Sequence, residues 1–376
     1  MAYSTIGIDA SRAVIEQRTG TEVYSLHLIR ALLEMETHWR FRLYFNVAPR
    51  PGLFPIVNHC QHRIMPLPRL WTHLCLSAEM LVHPPDVLFV PSHVLPLIHP
   101  KKSVVTVHDL GYHHYPGAHT PGQRRYLAAS TRYHVKTAAQ IIADSRATRD
   151  DLVRIYGADP ARITVVHLGV APDLRPLRDA GKIAAVKAKY GIDRDYILYI
   201  GTLHPRKNLV RLIEAFGKSA SDSPGKQLVL GGKKGWLYHD IWERVRTLGL
   251  QKRVILTGFI DDVDLAALYS GATAFVMPSL YEGFCIPVLE AMACQTPVMC
   301  SNTSSLPEVV GDAAYTFDPL DTAAIAAALT RLGSDDALRS TLIARGIRRV
   351  KRFTWENCAR QTLAVLQGCS ILQSSG

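Results

Sequence analysis

The feature that most constrains this chain is a repeated alternation of short, almost wholly apolar segments with longer segments of helical periodicity. Segments such as Ser103–Val107, Tyr196–Ile200 and Ala274–Met277 have the β-branched and aromatic composition of buried strands. Amphipathic segments such as Leu209–Ser219 lie between them. Strands that are apolar on both faces are typical of parallel sheets covered by helices on each side. We therefore predict an α/β fold with doubly wound parallel sheets.

The alternation pauses once, at Ala171–Lys182, which contains two prolines and no periodicity and is typical of a linker. A length of 376 residues also favours two domains. We predict one domain over residues 1–172 and a second over 183–354, followed by a helical segment, 355–376, that returns to the first domain. Ligands of such sheets bind at the carboxyl ends of the strands, so we expect the site in a cleft between the domains.

Composition narrows the functional class. The chain is 48% hydrophobic, which excludes a disordered protein, and it contains no apolar run long enough to span a bilayer. Its net charge of +11 favours anionic partners, but no base-stacking platform or basic repeat points to nucleic acid. The seven cysteines form no C-x-x-C pair, and the first residues do not resemble a signal peptide, so we expect reduced thiols and a cytoplasmic location.

No group of residues predicts a metal site. The doublet of His113 and His114 is expected in a surface loop, and no histidine pair has the H-E-x-x-H spacing. Two Asp-x-Asp sequences occur, at Asp193–Asp195 and Asp262–Asp264. The first precedes a predicted strand and the second begins a predicted helix, where acidic residues are expected in any case. We therefore expect no metal and no cofactor.

The first candidate site is the segment from Gly201 to Asn208, which directly follows a predicted strand and precedes a helix. Arg206 and Lys207 place two adjacent cations there. Arginine offers a planar fork of donors, lysine a point charge, and the helix N-terminus adds to both. The pattern favours binding of a diphosphate; a solvated basic turn is the alternative.

The second candidate site contains Glu282 and Glu290, again after a predicted strand. Carboxylates accept paired hydrogen bonds from the vicinal hydroxyls of a ribose or a hexose. Gly283, beside Glu282, allows the backbone to approach a ligand closely. Two exposed glutamates at a helix start, favoured by the helix dipole, are an equally good interpretation of this segment alone.

Together the two segments resemble the family 4 retaining glycosyltransferases of the GT-B fold. The family motif is Glu, seven residues, Glu and then Ala-Met-Ala, which here runs from Glu282 through Glu290. Arg18–Thr21 is similar to its first glycine loop, and Thr106–Leu110 to the end of a histidine-bearing strand. The resemblance covers most of the chain and implies two Rossmann-like domains that face an interdomain cleft.

The resemblance also implies roles for the second domain. Arg206 and Lys207 would hold the donor diphosphate and stabilise its charge as it leaves. Glu282 would contact the transferred sugar, and Glu290 would bind the ribose hydroxyls. The sugar would be lined by backbone amides of Gly283, Phe284, Cys285 and Ile286.

In the first domain, the resemblance assigns His108, with Asp109 beside it, to the sugar or the acceptor, with His108 counted among the catalytic residues. Gly20 would let the backbone approach the phosphates or the acceptor. The chain departs from the family pattern at Cys285 and Gln295, where the family commonly has glycine. The first departure puts the shape of the sugar pocket in doubt, and we expect a packing role rather than nucleophilic chemistry for Cys285.

The sequence Gly-Thr-Leu-x-Pro-Arg-Lys-Asn is similar to bacterial mannosyltransferases of surface polysaccharide assembly. The first expectation is therefore transfer of a hexose, mannose, from GDP-mannose to a glycan or a lipid-diphosphate-linked glycan at the inner face of the cytoplasmic membrane. Basic residues of one predicted helix would meet anionic lipid there, unless they form a solvated face: Arg124, Arg125, Arg132 and Lys136.

For the mechanism we expect front-face attack, with the leaving diphosphate accepting the proton of the acceptor. Four alternatives remain. They are a transferase that uses UDP-sugars, a glycogen-synthase or sucrose-type transferase with a soluble acceptor, a sugar-nucleotide epimerase, and a non-catalytic protein that binds a nucleotide-sugar.

Overall fold

The computed structural model describes residues 4–67, 69–92, 94–219, 225–233, 235 and 239–371. The chain divides into two compact units. Unit 1 contains Met1–Gly169 together with Trp355–Gly376, and unit 2 contains Val170–Thr354. Each unit is an α/β structure built on one parallel sheet.

The sheet of unit 1 has the strand order β3-β2-β1-β4-β5-β6-β7, with every pair parallel. Its strands are β1 (Thr5–Asp9), β2 (Arg40–Phe45), β3 (Cys60–Ile64), β4 (Val87–Val90), β5 (Ser103–Val107), β6 (Gln140–Ala143) and β7 (Ile163–Val165). All residues of β4 and β5 are buried. Helices on both faces explain this burial, as expected of a doubly wound sheet.

The helices of unit 1 that precede unit 2 in the chain are α1 (Gly20–Glu34), α2 (Ser77–Val82), α3 (Gly111–His114), α4 (Pro121–Thr137) and α5 (Arg146–Tyr156). A π-helical turn, Thr72–Leu76, runs directly into α2. Local sequence sets the ends. Thr120 and Gln123 form a capping box before α4, and Gly157 ends α5 with a φ of 63°.

The sheet of unit 2 has the order β10-β9-β8-β11-β12-β13, also parallel throughout. Its strands are β8 (Tyr196–Ile200), β9 (Gln227–Gly231), β10 (Val254–Gly258), β11 (Ala274–Met277), β12 (Val298–Ser301) and β13 (Ala314–Phe317). Its helices are α6 (Ala180–Lys189), α7 (Leu209–Ser219), α8 (His239–Thr247), α9 (Asp262–Ser270), α10 (Ile286–Ala293), α11 (Leu306–Val310), α12 (Thr322–Ser334) and α13 (Asp336–Val350).

The last helix, α14 (Trp355–Ile371), belongs to unit 1, where it packs on α1. The ring of Trp355 stacks on His27 with centroids 5.3 Å apart and lies 6.2 Å from the ring of Tyr24. Unit 1 is therefore assembled from two stretches of the chain that are separated by all of unit 2.

Several expectations about secondary structure need correction. The C-terminal part of the predicted linker begins α6, with Asp179 as its N-cap, and His113 and His114 lie in α3 rather than in a loop. The prediction also missed β3, α2, α11 and β13. The edge strand β3 is mostly exposed, so no apolar pattern marks it. The sequence also predicts a helix over Tyr238–Leu248, and its first residue lies outside the described residues.

Among the residues that the structure describes, no helix combines the length and the apolar character that crossing a bilayer requires.

Candidate active site

The strand order of unit 2 reverses between β8 and β11, and a ligand of a doubly wound sheet binds beside such a reversal, at the carboxyl ends of the strands. Arg206 and Lys207 follow β8, and Glu282 follows β11. The two sequence motifs therefore meet at one point because their strands are direct neighbours.

A short turn positions the two cations. After β8, residues Pro205–Lys207 form a single 3₁₀ turn, and Asn208, with a left-handed φ of 61°, leads into α7. The buried Asn208 amide donates to the carbonyl oxygens of Pro278 (3.1 Å) and Pro319 (2.7 Å). This amide ties the turn to the loops that follow β11 and β13. Asparagine suits the position because it tolerates left-handed backbone.

Lys207 and Glu282 form a buried ion pair. Nζ of Lys207 lies 2.5 Å from Oε1 of Glu282, and Oγ of Ser279 donates to the same oxygen at 2.5 Å. Burial acts to raise the pKa of Glu282, but the Lys207 and Arg206 charges and the two hydrogen bonds outweigh it and lower that pKa. Glu282 is therefore ionised at neutral pH, and one carboxylate faces two cations.

Arg206 is held mainly by its backbone and by an aromatic neighbour. Its N–H donates to Nδ1 of His204 at 3.3 Å, and its carbonyl accepts from the N–H of Leu280 at 2.9 Å. The guanidinium carbon lies 6.0 Å from the centre of the Tyr281 ring, within the range of a cation–π contact. The structure thus brings Arg206 next to the loop that carries Glu282.

The loop between Glu282 and α10 is fixed by two serines. Oγ of Ser304 accepts from the N–H of Glu282 at 2.9 Å, and Oγ of Ser305 donates to the carbonyls of Glu282 (2.9 Å) and Phe284 (3.3 Å). The loop carries the predicted donor contacts Gly283, Phe284 and Cys285 directly to Ile286, the first residue of α10. The first N–H groups of a helix and its dipole favour a negative charge at this end.

Both departures from the family pattern fall on left-handed backbone. Cys285, the N-cap of α10, has a φ of 81°, and Gln295, just after α10, has a φ of 59°. Such values favour glycine, which explains why the family commonly has glycine at these positions. Burial and the Glu282 charge raise the pKa of the Cys285 thiol, so the reactive thiolate is disfavoured.

Glu290 lies one turn inside α10, where it accepts a hydrogen bond from the Tyr269 hydroxyl at 2.8 Å. Burial raises the pKa of Glu290 to about 7, with Asp262 adding to the effect and the Tyr269 hydrogen bond opposing it. The carboxyl therefore changes its charge near neutral pH, unlike that of Glu282.

In unit 1, His108 follows β5 and lies between the ends of β4 and β6. Its Nδ1 is 2.7 Å from Oδ2 of Asp144, and its Nε2 is 3.0 Å from the carbonyl oxygen of Pro91. The carbonyl can only accept, so Nε2 carries a hydrogen. Burial acts to lower the pKa of His108, but the Asp144 charge and both hydrogen bonds outweigh it and raise that pKa. Burial also raises the pKa of Asp144, although the His108 charge and hydrogen bond oppose this.

The other predicted residues of unit 1 lie close by. Asp109 accepts from the N–H of Gly111 at 2.8 Å and so shapes the start of α3. Gly20 begins α1, and a Cβ added there would meet no atom within 4 Å, so open space adjoins the backbone. One turn later, the Tyr24 ring contacts His108 edge-on with centroids 4.9 Å apart. The start of α1 therefore lies near His108.

The Asp-x-Asp sequence at Asp262–Asp264 begins α9, as predicted. The Asp264 carboxylate is engaged by Nζ of Lys189 at 2.6 Å and by the Tyr190 hydroxyl at 2.8 Å. These contacts, with the attraction of the Lys189 charge, lower the pKa of Asp264 although burial opposes them. Asp264 therefore has a structural contact in the fold.

Some contributing residues were not assigned roles from the sequence: Asn208, Ser279, Ser304 and Asp144. Asn208 and Ser279 lie within the motifs themselves, which is a usable signal. Ser304 and Asp144 lie on other segments, and only the fold brings them to Glu282 and His108.

Comparison with known proteins identifies the family of the chain. Residues 183–349 match the family model of the glycosyl transferases group 1, and residues 18–174 match that of glycosyltransferase family 4. The chain is 32% identical to the O-antigen chain mannosyltransferase B of Escherichia coli over 363 residues, which cover 92% of this chain and 95% of that protein. It is also 32% identical over 245 residues to a serotype-specific mannosyltransferase, WbdA, of Escherichia coli, covering 63% of this chain and 29% of that protein.

Solved structures share the fold. A sucrose-phosphate synthase from Thermosynechococcus elongatus superposes with a TM-score of 0.77 at 23% identity, covering 99% of this chain and 100% of that chain. The Anabaena protein HepE, in complex with UDP and glucose, superposes with a TM-score of 0.75 at 16% identity, covering 98% of this chain and 100% of that chain. The two Rossmann-like units are thus those of the GT-B fold, and the chain belongs to the group 1 glycosyltransferases of family 4.

Proposed function

We propose that this glycosyltransferase moves mannose from GDP-mannose to a glycan, or to a glycan linked to a lipid diphosphate, with retention of configuration, during synthesis of a bacterial surface polysaccharide. The observation that carries the proposal is the meeting of Arg206, Lys207 and Glu282 at the strand-order reversal of unit 2. It provides two cations for a diphosphate and one ionised carboxylate for sugar hydroxyls.

The relatives support the choice of sugar and product. The chain spans nearly all of an O-antigen chain mannosyltransferase at 32% identity, and 63% of the chain matches a second mannosyltransferase, also at 32% identity. The Anabaena structure holds UDP and glucose, which supports a nucleotide-sugar donor for this fold. A UDP-hexose is therefore the second candidate donor.

In the proposed reaction, the bond between the sugar C1 and the donor phosphate oxygen breaks as an acceptor hydroxyl attacks C1 from the same face. A new C1–O bond forms, the proton of the acceptor passes to the leaving diphosphate, and the other product is GDP. Arg206 and Lys207 stabilise the charge that grows on the diphosphate. Because that charge is greatest late in bond breaking, these contacts strengthen in the transition state rather than in the bound donor.

The remaining residues take binding roles in this proposal. Glu282 accepts hydrogen bonds from the sugar hydroxyls while Lys207 is shared with the diphosphate, and Glu290 accepts from the ribose. The backbone from Gly283 to Ile286 lines the sugar. His108 contributes the first unit's contact to the sugar or the acceptor, with Asp144 fixing its ring.

The proposal includes no metal ion, because Arg206, Lys207 and the N-terminus of α10 supply positive charge for the diphosphate. The same reasoning leaves no role for a resident cofactor. The protein is proposed to work at the inner face of the cytoplasmic membrane.

The decisive experiment is an assay of the purified protein with GDP-mannose, UDP-glucose and other nucleotide-sugars against a mannose-terminated acceptor. Release of GDP with a new α-mannosidic linkage, identified by NMR, is the expected result. Turnover of UDP-sugars alone, or an inverted anomeric centre, would contradict the proposal. Binding of GDP-mannose without turnover on any acceptor would favour a binding protein, and products formed without an acceptor would favour an epimerase.

A further inference from the structure

Seven of the fourteen large apolar side chains exposed in the described part of the chain lie in three short stretches of unit 1. Six of them form what we call the apolar face: Leu70, Leu74, Leu81, Val82, Leu97 and Ile98. The seventh is Tyr126 of α4. Concentration of exposed apolar groups in one region, rather than their scatter over a surface, marks a site of interaction.

Helical spacing aligns two leucines of the apolar face. Leu74 and Leu81 flank Ser77 at three and four positions along the helix formed by Thr72–Leu76 and α2, so the three residues share one side. Leu74 is 56% exposed and Leu81 is 69% exposed. A helix that covers a protein core presents its leucines inward, and these point to solvent instead.

Hydrogen bonds join the three stretches into one surface. The N–H of Ile98 donates to Oγ of Ser77 at 3.3 Å, which holds the loop of Leu97 and Ile98 beside the leucine side of the helix. The Tyr133 hydroxyl of α4 donates to the carbonyl of Leu97 at 3.0 Å. The Tyr126 hydroxyl lies 3.1 Å from Nε2 of His73, in the π-helical turn.

The backbone at the start of this surface is unusual. Leu70 has a φ of 57°, a left-handed conformation that leucine rarely adopts, yet its side chain is 66% exposed. The π-helical turn follows it directly. Strained backbone and π-helical turns are both enriched at functional sites, and neither here serves the burial of the leucine.

The charge beside the apolar face is positive. On α4, exposed residues recur at the spacing of one helix face, with Arg125, Arg132 and Lys136 along that stripe. The sequence of α4 contains no acidic residue. Over residues 69–139 there are seven lysines and arginines against three aspartates and glutamates, and one of those acids, Glu79, is buried and paired with Arg63.

We infer that the apolar face and the basic stripe of α4 together dock on the surface of an anionic lipid bilayer, with the leucines entering the boundary between head groups and acyl chains. Leucines beside arginines and lysines match the two layers of such a surface. The inference rests on the proposed membrane-associated acceptor and assigns the surface that meets the membrane.

The test is flotation of the purified full chain with vesicles of phosphatidylcholine alone or mixed with phosphatidylglycerol. We expect binding to the mixed vesicles that weakens as salt is added. Leu74→Ser with Leu81→Ser should weaken it by roughly tenfold or more, because the inserted apolar area is lost. Arg125→Ser with Arg132→Ser should weaken it by about fivefold per cation.

Matched controls are exposed residues of unit 2. Val263→Ser with Leu320→Ser removes apolar side chains of similar exposure, and Arg246→Ser with Arg348→Ser removes the same charge. Both controls should bind vesicles as the unchanged chain does. Equal loss in a control, or no binding of the unchanged chain to anionic vesicles, would overturn the inference.

Light scattering tests whether a second copy of the chain covers the apolar face instead of lipid. The unchanged chain could form a dimer that is lost in the variant Leu74→Ser with Leu81→Ser. That result would show that a second copy covers the face, and it would overturn docking on lipid. Transfer to a water-soluble acceptor fragment, measured without vesicles, should be the same in this variant and the unchanged chain. Failure of that transfer in the unchanged chain counts against the proposed function alone, since vesicle binding requires no turnover.

Discussion

Lys207 and Glu282 lie 75 positions apart in the sequence, yet Nζ of one is 2.5 Å from Oε1 of the other. Each side chain is at most 14% exposed, so little solvent reaches the pair. The Lys207 charge helps to keep the buried Glu282 carboxylate ionised, and that carboxylate holds the Lys207 ammonium at the point that a diphosphate would approach.

Replacing Lys207 by alanine should lower turnover by about 10²–10³-fold, because one preorganised contact to the developing charge is lost. The measurement is kcat with saturating donor. Arg206→Ala should have a similar effect while leaving the Lys207–Glu282 pair intact, which separates loss of catalysis from loss of folding. Lys189→Ala, which breaks ion pairs with Asp261 and Asp264, is the matched control and should keep its turnover. Unchanged turnover in both Lys207→Ala and Arg206→Ala would refute the role.

Donor affinity should increase as the pH rises through about 7, the pKa to which burial raises Glu290. Below that pH the carboxyl is protonated and is a weaker acceptor for the ribose hydroxyls; above it the carboxylate accepts both. The measurement is the Kd of the nucleotide product, by calorimetry, across this range. Glu290→Gln should bind more weakly at high pH and lose the dependence. An equally steep profile in the variant would assign the titration to another group.

Alanine at a position in a helix or strand usually gives a more stable protein than glycine. The left-handed backbone at Cys285 and Gln295 predicts the opposite order there. At each position the glycine variant should be more stable than the alanine variant, by about 1 kcal/mol, because alanine keeps the left-handed strain and glycine releases it. The measurement is the free energy of unfolding in urea. At Cys300, inside β12, alanine should be the more stable of the two. The same order at all three positions would contradict this account.

The His108–Asp144 pair should make unit 1 less stable as the pH rises. The pKa of His108 is raised above its ordinary value of 6.5, so its contribution is complete below that pH and is lost as the pH rises through the folded-state pKa. We expect stability to fall between neutral and alkaline pH, which thermal unfolding would show. Asp144→Asn should flatten this part of the profile; an unchanged slope would show that other groups cause it.

Chelation should leave activity unchanged. The proposed reaction relies on Arg206, Lys207 and a helix N-terminus for positive charge. The measurement is the initial rate after dialysis against EDTA, with and without added Mg²⁺ or Mn²⁺. Activity that disappears with the chelator and returns with the ion would require a metal in the mechanism.

The sequence predicts the buried strands and helices well because their apolar composition indicates that they are buried. Strands β5, β8 and β11 and helix α7 have the bounds expected of them. In contrast, α6 buries none of its residues and β3 is an exposed edge strand, so neither carries a strong apolar pattern.

The candidate site also has contacts that the sequence predicts and contacts that it does not. Arg206, Lys207 and Glu282 could be predicted to converge, since residues after neighbouring parallel strands share one edge of a sheet. The hydroxyl contact from Ser304 could not, because it depends on how closely two separate loops approach each other. The contact of His108 with the Pro91 carbonyl could not be predicted either, because every residue has a backbone carbonyl and the sequence does not show which one accepts.

The return of α14 to unit 1 has a consequence for biosynthesis. During translation, every residue of unit 2 emerges before Trp355 reaches the Tyr24 and His27 rings on which it packs. The nascent unit 1 must therefore persist with the α1 surface uncovered while unit 2 is made, and it becomes complete only afterwards. For the same reason, an expression fragment that stops at Gly169 would lack a helix of its own core, whereas Val170–Thr354 is continuous and can be produced as one piece.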